Sequence, residues 1–239
     1  MTTPSPARMY DWLLGGSNNL PCDRRAAQDL ERTRPGAAAS ARANRAFMRQ
    51  TVRQAIDRRI TQFLDLGSGL PTVGHIHHTA REHHPAARVV YTDIDPDTVA
   101  QGQALLAGVS ATAMIQADLR DPAAVLTDPA IASLIDINRP LLLTLISVLH
   151  LIPDSDDPAR IVGGYRDRLA PGSLLALTHL SGQSPATPTY PPLHDRTAAQ
   201  IRSMLTGIQI HSPGLVPLHQ WPGLSKLSPV PVLAAIGDI

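Results

Sequence analysis

Alternation of short apolar runs with helical segments across residues 60–239 restricts the fold of this chain more than any other feature. Helical stretches separate the runs, and several of them begin at an Asp-Pro step, which favours a helix start. Five runs have strand character: Ile60–Leu66, Arg88–Tyr91, Ala113–Ala117, Leu141–Ile146 and Leu174–Thr178. Such alternation predicts an α/β fold with a Rossmann-like, doubly wound and mostly parallel sheet covered by helices on both faces.

The two ends of the chain differ from this pattern. Residues 1–59 lack strand character and are predicted to form an N-terminal helical extension, or lid, attached to an α/β domain over residues 60–239. Within the extension, Asp23–Arg34 and Ala37–Arg59 show helical spacing of apolar residues. A C-terminal antiparallel hairpin is expected from two further runs, Leu215–His219 and Val230–Ile236.

Composition argues against several classes of partner. The net charge is +1, and no basic stripe suggests a nucleic acid. The apolar stretch from Pro140 to Pro153 is too short to cross a membrane, and the N-terminus does not resemble a secretory signal. A single cysteine, Cys22, excludes a disulfide within the chain and suits a reducing compartment. We therefore expect a cytoplasmic protein that binds neither nucleic acid nor membrane.

The first predicted strand ends in a glycine turn with the sequence FLDLGSG. Asp65 precedes Gly67 and Gly69, which allow a ligand to approach the backbone closely and expose a helix N-terminus. Thr72 occupies the third glycine position of the dinucleotide fingerprint, so a pyrophosphate site is disfavoured. The carboxylate of Asp65 could instead bind the positively charged amino group of a ligand that contains an amino-acid moiety. A tight turn that binds no ligand is the alternative.

Acids also follow the next two predicted strands. Asp93 could accept hydrogen bonds from two ribose hydroxyls, and Asp118 from an adenine amino group. Asp118 could instead cap a helix, a role for which Asp121 competes with it, whereas Asp95 is the expected cap of the helix that begins at Pro96. Since the carboxyl ends of parallel strands meet at one edge of the sheet, we expect Asp65, Asp93 and Asp118 to converge on one site.

The loop after the fourth predicted strand, Ser147–Asp154, contains a candidate general base. His150 could remove a proton from a substrate or orient it, because an imidazole titrates near neutral pH. His179, after the fifth strand, is the second candidate. A structural role for His150 is an equally acceptable interpretation.

Two other groups of residues allow both a functional and a structural interpretation. The segment GGSNN, at residues 15–19, suits a tight turn, but it could also belong to a lid with Tyr10, Asp11 and Asn19 facing the site. Five histidines cluster on one predicted helix, and we interpret them as a solvated face rather than a metal site: His75, His77, His78, His83 and His84. No metal is predicted.

Several stretches together resemble the class I S-adenosylmethionine-dependent methyltransferases: FLDLGSG, VVYTDIDP, IQADL, SVLHLIPD and LAPGSLLALTH. Over nearly the whole chain, ARMYDWLLGGSNNLPCDR, RANRAFMRQTVR, DLGSGLPT and GLVPLHQW resemble an actinobacterial family of S-adenosyl methyltransferases that was formerly a domain of unknown function. The resemblance implies a seven-stranded sheet whose last strand is antiparallel. It also implies S-adenosylmethionine as cofactor, held at Asp65, Gly67, Ser68, Gly69, Asp93, Ile94, Asp118, Leu119 and Ser147.

The resemblance names a reaction class without an acceptor, which we expect to be a small molecule. The segment Ser181–Pro192, where such enzymes often close the acceptor pocket, is short and rich in proline. A module that binds the cofactor without turnover and a nicotinamide-dependent oxidoreductase remain alternatives. An α/β hydrolase is disfavoured because the G-x-S-x-G elbow is missing around Ser68.

Overall fold

A computed structural model describes residues 3–72, 74–182, 189–224 and 229–239. Its helices are α1 (Pro6–Leu13), α2 (Pro21–Thr33), α3 (Ala37–Asp57), α4 (Ile76–His83), α5 (Pro96–Leu105), α6 (Pro122–Thr127), α7 (Pro129–Ala132), α8 (Pro158–Arg166) and α9 (Ala198–Met204). Its strands are β1 (Gln62–Leu66), β2 (Arg88–Asp93), β3 (Thr112–Gln116), β4 (Leu142–Ile146), β5 (Leu174–Leu180), β6 (Gln209–Ile210), β7 (Val216–Pro217) and β8 (Val232–Asp238).

The sheet has the predicted parallel character. Its order is β3-β2-β1-β4-β5-β8-β6, with β7 also paired to β8. Strands β1 to β5 are parallel to their neighbours, and β8 runs antiparallel to β5. The strand order reverses direction between β1 and β4, which is where open α/β sheets bind ligands.

The C-terminal region differs in detail from the expectation. The sheet has eight strands rather than the seven implied by resemblance, because β6 and β7 are both present as two-residue strands. Strands this short carry no visible alternation in sequence. The predicted hairpin is limited to Val216 opposite Ala234 and Pro217 opposite Leu233, while β5 is the main partner of β8.

Both faces of the central strands are buried. On one face Leu64, Leu66 and Leu143 pack with residues of α6 and α8. On the other, Phe63 and Tyr91 lie in a cluster with residues of α3 and α4. Helix α3 therefore packs on the sheet, as its apolar spacing predicts, and its N-terminal half reaches the edge where β1 and β4 end.

A buried carboxylate connects the first two helices. Asp23, on α2, forms an ion pair with Arg8 at 2.7 Å and accepts the backbone N–H of Ser5 and of Leu20 at 2.8 Å each. Its side chain has no solvent exposure. These contacts hold α1 against α2 and fix the orientation of α1.

Among the described residues, no helix is long and apolar enough to cross a membrane.

Candidate functional site

A cavity of about 1030 Å³ lies between the carboxyl edge of the sheet and helices α1 to α3. Its volume is at the upper end of the range for small-molecule sites. The predicted site residues that line it are Tyr10, Asp11, Asp65, Gly67, Ser68, Gly69, Asp93, Ile94, Asp118, Leu119, Ser147 and His150. The expected convergence of Asp65, Asp93 and Asp118 is therefore present in the structure.

The turn after β1 needs its glycines. Gly67 and Gly69 have φ values of +62° and +61°, in the left-handed region that side chains disfavour. A Cβ on Gly67 would overlap Cγ2 of Val148, and one on Gly69 would lie 3.4 Å from the Cβ of Ala7 on α1. The turn is thus held between the loop after β4 and the first helix.

Asp93 joins the end of β2 to the glycine turn. Its Oδ2 accepts the backbone N–H of Gly69 at 3.0 Å, and its Oδ1 accepts that of Asp95 at 3.1 Å. Burial raises the pKa of Asp93. Asp95 itself caps α5 by accepting from the backbone N–H of Asp97 at 3.1 Å, so the two neighbouring acids have separate roles.

Asp65 is a deeply buried acid of the cavity. Its side chain is 5% exposed, and its Oδ1 accepts from the hydroxyl of Thr144 at 2.5 Å. Its Oδ2 is 3.8 Å from Nδ1 of His75. Burial raises the pKa of Asp65 to about 7, so its charge changes near neutral pH. A cationic group placed in the cavity would favour the ionised form.

Asp118 is engaged by a neighbour that the sequence analysis did not single out. The guanidinium of Arg120 contacts both carboxylate oxygens, with Nη2 at 2.6 Å from Oδ2. Its Nη1 also reaches Asp156 at 2.9 Å. This hydrogen bonding lowers the pKa of Asp118. Asp121, not Asp118, caps α6 through the backbone N–H of Ala124 at 3.0 Å.

Ser147 links the loop after β4 to the N-terminal extension. It adopts a φ of +56°, which is uncommon for a residue with a side chain. Its Oγ accepts from Nδ2 of Asn44 at 2.5 Å, and its backbone N–H donates to the hydroxyl of Thr178 at 3.0 Å. Tyr10 lies beside this pair and donates to the backbone carbonyl of Ala41 at 3.2 Å. Asn44 was not predicted as a site residue.

Asn19 does not line the cavity, contrary to the expectation that it faces the site. Its Nδ2 donates to Oδ2 of Asp11 at 2.9 Å and to the backbone carbonyl of Gly16 at 2.9 Å. The backbone N–H of Asn18 donates to the same carboxylate oxygen at 2.8 Å. The turn therefore surrounds the Asp11 carboxylate, and Asn19 orients that carboxylate from the side away from the cavity.

His150 is 7% exposed, and its ring is 5.6 Å from that of His179. Burial lowers its pKa well below the usual value, so the imidazole is neutral. His179 is unsuited to act as a base. Its Nε2 is 2.9 Å from Nη1 of Arg196, which can only donate, and its Nδ1 is 2.6 Å from the carbonyl of Leu180. Both ring nitrogens are thus occupied, and His179 does not line the cavity.

The interpretation of the histidines on α4 as a solvated face was wrong for two of them. His75 and His77 are 2% and 5% exposed, because they point into the core beside Tyr91. Nδ1 of His77 is 2.8 Å from the hydroxyl of Tyr91, and Nδ1 of His75 accepts the backbone N–H of Ile76. Within the described ranges, no grouping of His, Cys, Asp and Glu could hold a metal ion. The sequence predicts a helix over Val73–His84, and its first residue, Val73, lies outside those ranges.

A reversed strand order, an antiparallel strand beside β5 and a glycine turn with three converging acids define a methyltransferase fold of class I. The chain belongs to the S-adenosyl methyltransferase family, whose family model matches residues 1–228. It is an S-adenosyl methyltransferase, and S-adenosylmethionine is its cofactor. No curated protein matches the chain.

Solved structures agree with this membership. A candidate methyltransferase from Thermobifida fusca is 37% identical, with a TM-score of 0.89 over 99% of this chain and 95% of that one. A DUF574 family protein from Streptomyces avermitilis is 31% identical, with a TM-score of 0.89 over 99% and 97% of the two chains. Human N-acetylserotonin methyltransferase, solved in complex with S-adenosylmethionine, shares only the fold at 11% identity and a TM-score of 0.52, over 99% of this chain and 62% of that chain.

The residues of the cavity fit this cofactor. Gly67 and Gly69 line the cavity without side chains, so a ligand can approach their backbone closely. Asp93 offers a partly buried carboxylate at the end of β2. Asp65 offers a second carboxylate whose charge a cationic ligand would stabilise. Carboxylates with few internal donors suit a ligand that carries ribose hydroxyls and an ammonium group.

Proposed function

We propose that the enzyme methylates a small-molecule acceptor bound in the same cavity as the cofactor, beside His150. The observation that supports this most strongly is the continuity of the cavity from the glycine turn to the end of β5. At about 1030 Å³, it can hold an adenosyl cofactor together with a second small molecule. Part of the loop between β5 and α9, residues 183–188, lies outside the described residues.

Each acid at the sheet edge has a proposed role in holding the cofactor. Asp93 accepts from the ribose hydroxyls, and its bond to the N–H of Gly69 fixes the turn beside them. Asp65 faces the methionine end of the cofactor, and Asp118 faces the adenine. When the adenine binds, Arg120 gives up part of its contact with Asp118. Backbone around Ser68, Ile94, Leu119 and Ser147 completes the contact surface.

S-adenosylmethionine, when bound, supplies a methyl group that is already activated by the positive charge on sulfur. The chain therefore needs mainly to align the acceptor and to keep water out. The N-terminal helices and the loop after β4 enclose the cavity from opposite sides and perform that exclusion.

The acceptor end of the cavity is mostly apolar. Leu180, Leu193 and Val232 line it near the end of β5. Arg34 and Asp195 form an ion pair there at 2.9 Å, and their charges cancel, so this end of the cavity has no net charge. This lining favours an uncharged, largely apolar acceptor. His150 lines the cavity, and burial lowers its pKa, so its neutral imidazole has one ring nitrogen that can accept a proton from a hydroxyl or amine of the acceptor.

Replacement of His150 by alanine is expected to lower methyl transfer about 100-fold or more, the usual contribution of a positioned general base. The affinity for S-adenosylhomocysteine should change less than threefold, because the cofactor contacts remain. The assay follows transfer of a labelled methyl group to a panel of phenols and aromatic amines. His83→Ala, an exposed histidine on α4, is the control.

Two outcomes would count against this assignment. If His150→Ala transfers methyl groups as fast as the wild type, the base role is lost. If the wild type binds S-adenosylmethionine but no acceptor in a broad panel accelerates formation of S-adenosylhomocysteine, a binding module without turnover becomes the better description.

We further propose that residues 1–59 act as a lid over the cofactor. Helix α1 lies against the glycine turn, since Ala7 approaches Gly69, and Tyr10 and Asp11 line the cavity. Asn19 keeps Asp11 in place from the outer side. The lid joins the loop after β4 through Asn44 and Ser147.

Tyr10→Ala and Asn19→Ala should each weaken binding of S-adenosylhomocysteine about fivefold to tenfold, the cost of one lost hydrogen bond with some loss of packing. Calorimetric titration measures the affinity, and circular dichroism checks the fold. Arg32→Ala removes only an exposed ion pair with Asp29 on α2 and is the matched control. Wild-type affinity in both variants would rule the lid out.

A further inference from the structure

We propose that Arg45, on helix α3 of the N-terminal extension, binds the α-carboxylate of the methionine moiety of the cofactor. This inference rests on the proposed placement of the cofactor at the sheet edge. It assigns recognition of the amino-acid end to a residue outside the glycine turn and the strand ends.

Arg45 is a buried cation without a carboxylate partner. The residue is 7% exposed and lines the cavity. Among the described residues, no acid lies within ion-pair distance of its guanidinium. Its Nη1 contacts only the sulfur of Met48, at 3.7 Å, and its Nε is buried without a hydrogen-bond partner.

Two other arginines differ from Arg45 in this respect: Arg196, which is also buried, and Arg34, which is half-buried. Arg34 binds both oxygens of Asp195, and Arg196 binds Asp154 at 2.7 Å and two backbone carbonyls. A guanidinium does not deprotonate in proteins, and burial without a counter-ion costs free energy. Arg45 therefore lies in a position that an anionic group in the cavity would stabilise.

The surroundings of Arg45 indicate which kind of anion fits. Arg45 lines the same cavity as Asp65 and His75. Its charge opposes part of the rise that burial gives the pKa of Asp65, and it adds to the fall that burial gives the pKa of His75. Asp65 and Arg45 form no ion pair with each other. A buried acid and a buried base that face one cavity without pairing are complementary to a zwitterion. The ammonium and carboxylate of an α-amino acid carry those two charges on one carbon.

The geometry of arginine suits this role. A guanidinium offers a planar fork of donors that matches the two oxygens of a carboxylate. The acceptor end of the cavity already has a balanced ion pair, Arg34 with Asp195, and lies near β5 rather than β1. The free cationic group is thus at the methionine end of the proposed cofactor position.

The test compares two ligands in calorimetric titrations of the full chain. S-adenosylhomocysteine carries the amino-acid group, whereas 5′-methylthioadenosine lacks it. For Arg45→Met we expect affinity for S-adenosylhomocysteine to fall about 10- to 100-fold, the effect of losing hydrogen bonds to a charged group. Affinity for 5′-methylthioadenosine should stay within twofold. Arg42→Met, an exposed arginine one turn earlier on α3, should behave as wild type with both ligands.

Arg45→Lys provides a second variant that keeps the charge. It should recover part of the lost affinity, since an ammonium supplies a point charge without the fork. Equal weakening of both ligands in Arg45→Met, or no weakening of either, would overturn the proposal. Failure of the cofactor placement itself would look different, because the wild type would then bind neither ligand at the sheet edge, and Asp93→Ala would leave both affinities unchanged.

Discussion

Replacement of Gly67 by alanine is expected to lower the free energy of unfolding by about 2–5 kcal/mol. Two effects add at this position. A residue with a side chain at a φ of +62° costs about 1–2 kcal/mol, and an added methyl group in a packed site costs about 1–3 kcal/mol. The methyl group would overlap Cγ2 of Val148, whose branched side chain has few alternative rotamers.

A double variant separates the two effects. Val148→Ala removes the overlapping methyl groups, so Gly67→Ala combined with Val148→Ala should cost less than the sum of the two single variants. The loss that remains in the double variant, relative to Val148→Ala alone, is the cost of the left-handed backbone conformation, which truncation of Val148 cannot relieve. Urea denaturation measures each free energy. If Gly67→Ala unfolds at the wild-type urea concentration and binds S-adenosylhomocysteine normally, the turn is not under the constraint described.

Asp93→Ala should weaken binding of S-adenosylhomocysteine about 100-fold or more. The carboxylate is expected to accept from two ribose hydroxyls, and each hydrogen bond to a charged group contributes about 1.5–3 kcal/mol. The same substitution removes the acceptor for the N–H of Gly69, and this 3.0 Å hydrogen bond holds the glycine turn in place. Both ligands of the Arg45 test carry the ribose, so both should lose affinity to a similar degree.

Controls for Asp93→Ala separate charge from the hydrogen bond to the turn. Asp93→Asn keeps an oxygen that can accept from Gly69 and should lose less affinity than alanine. Asp121→Asn removes an exposed acid that caps α6 and does not line the cavity, so its affinity should be unchanged. An affinity for Asp93→Ala within threefold of wild type would contradict the ribose assignment.

The sequence predicts much of the fold because its signals are local. The glycine turn, the acids that end β2 and the Asp-Pro helix starts each depend on neighbouring residues. The parallel sheet then follows from alternation, and the shared cavity of Asp65, Asp93 and Asp118 follows from the sheet. Strands β6 and β7 escape such reasoning because two residues form no pattern.

Other site features depend on contacts between distant parts of the chain. Arg45 and Asn44 read as ordinary members of an arginine-rich helix, and only the packing of α3 on the sheet brings them to the cavity. The hydrogen bond between Asn19 and Asp11 turns Asn19 away from the cavity, and the sequence of the turn gives no sign of that orientation. His75 and His77 are buried because Tyr91, on a neighbouring element, supplies a partner for them.

The central claim is that the adenosine of the cofactor lies across the ends of β1, β2 and β3, with its ribose on Asp93. A crystal structure of the protein grown with S-adenosylhomocysteine tests this directly. We expect both ribose hydroxyls within 3.2 Å of the Asp93 carboxylate, the usual limit for such hydrogen bonds, and the adenine beside Asp118 and Leu119. A ligand bound elsewhere on the chain, with Asp93 free of it, would contradict the account.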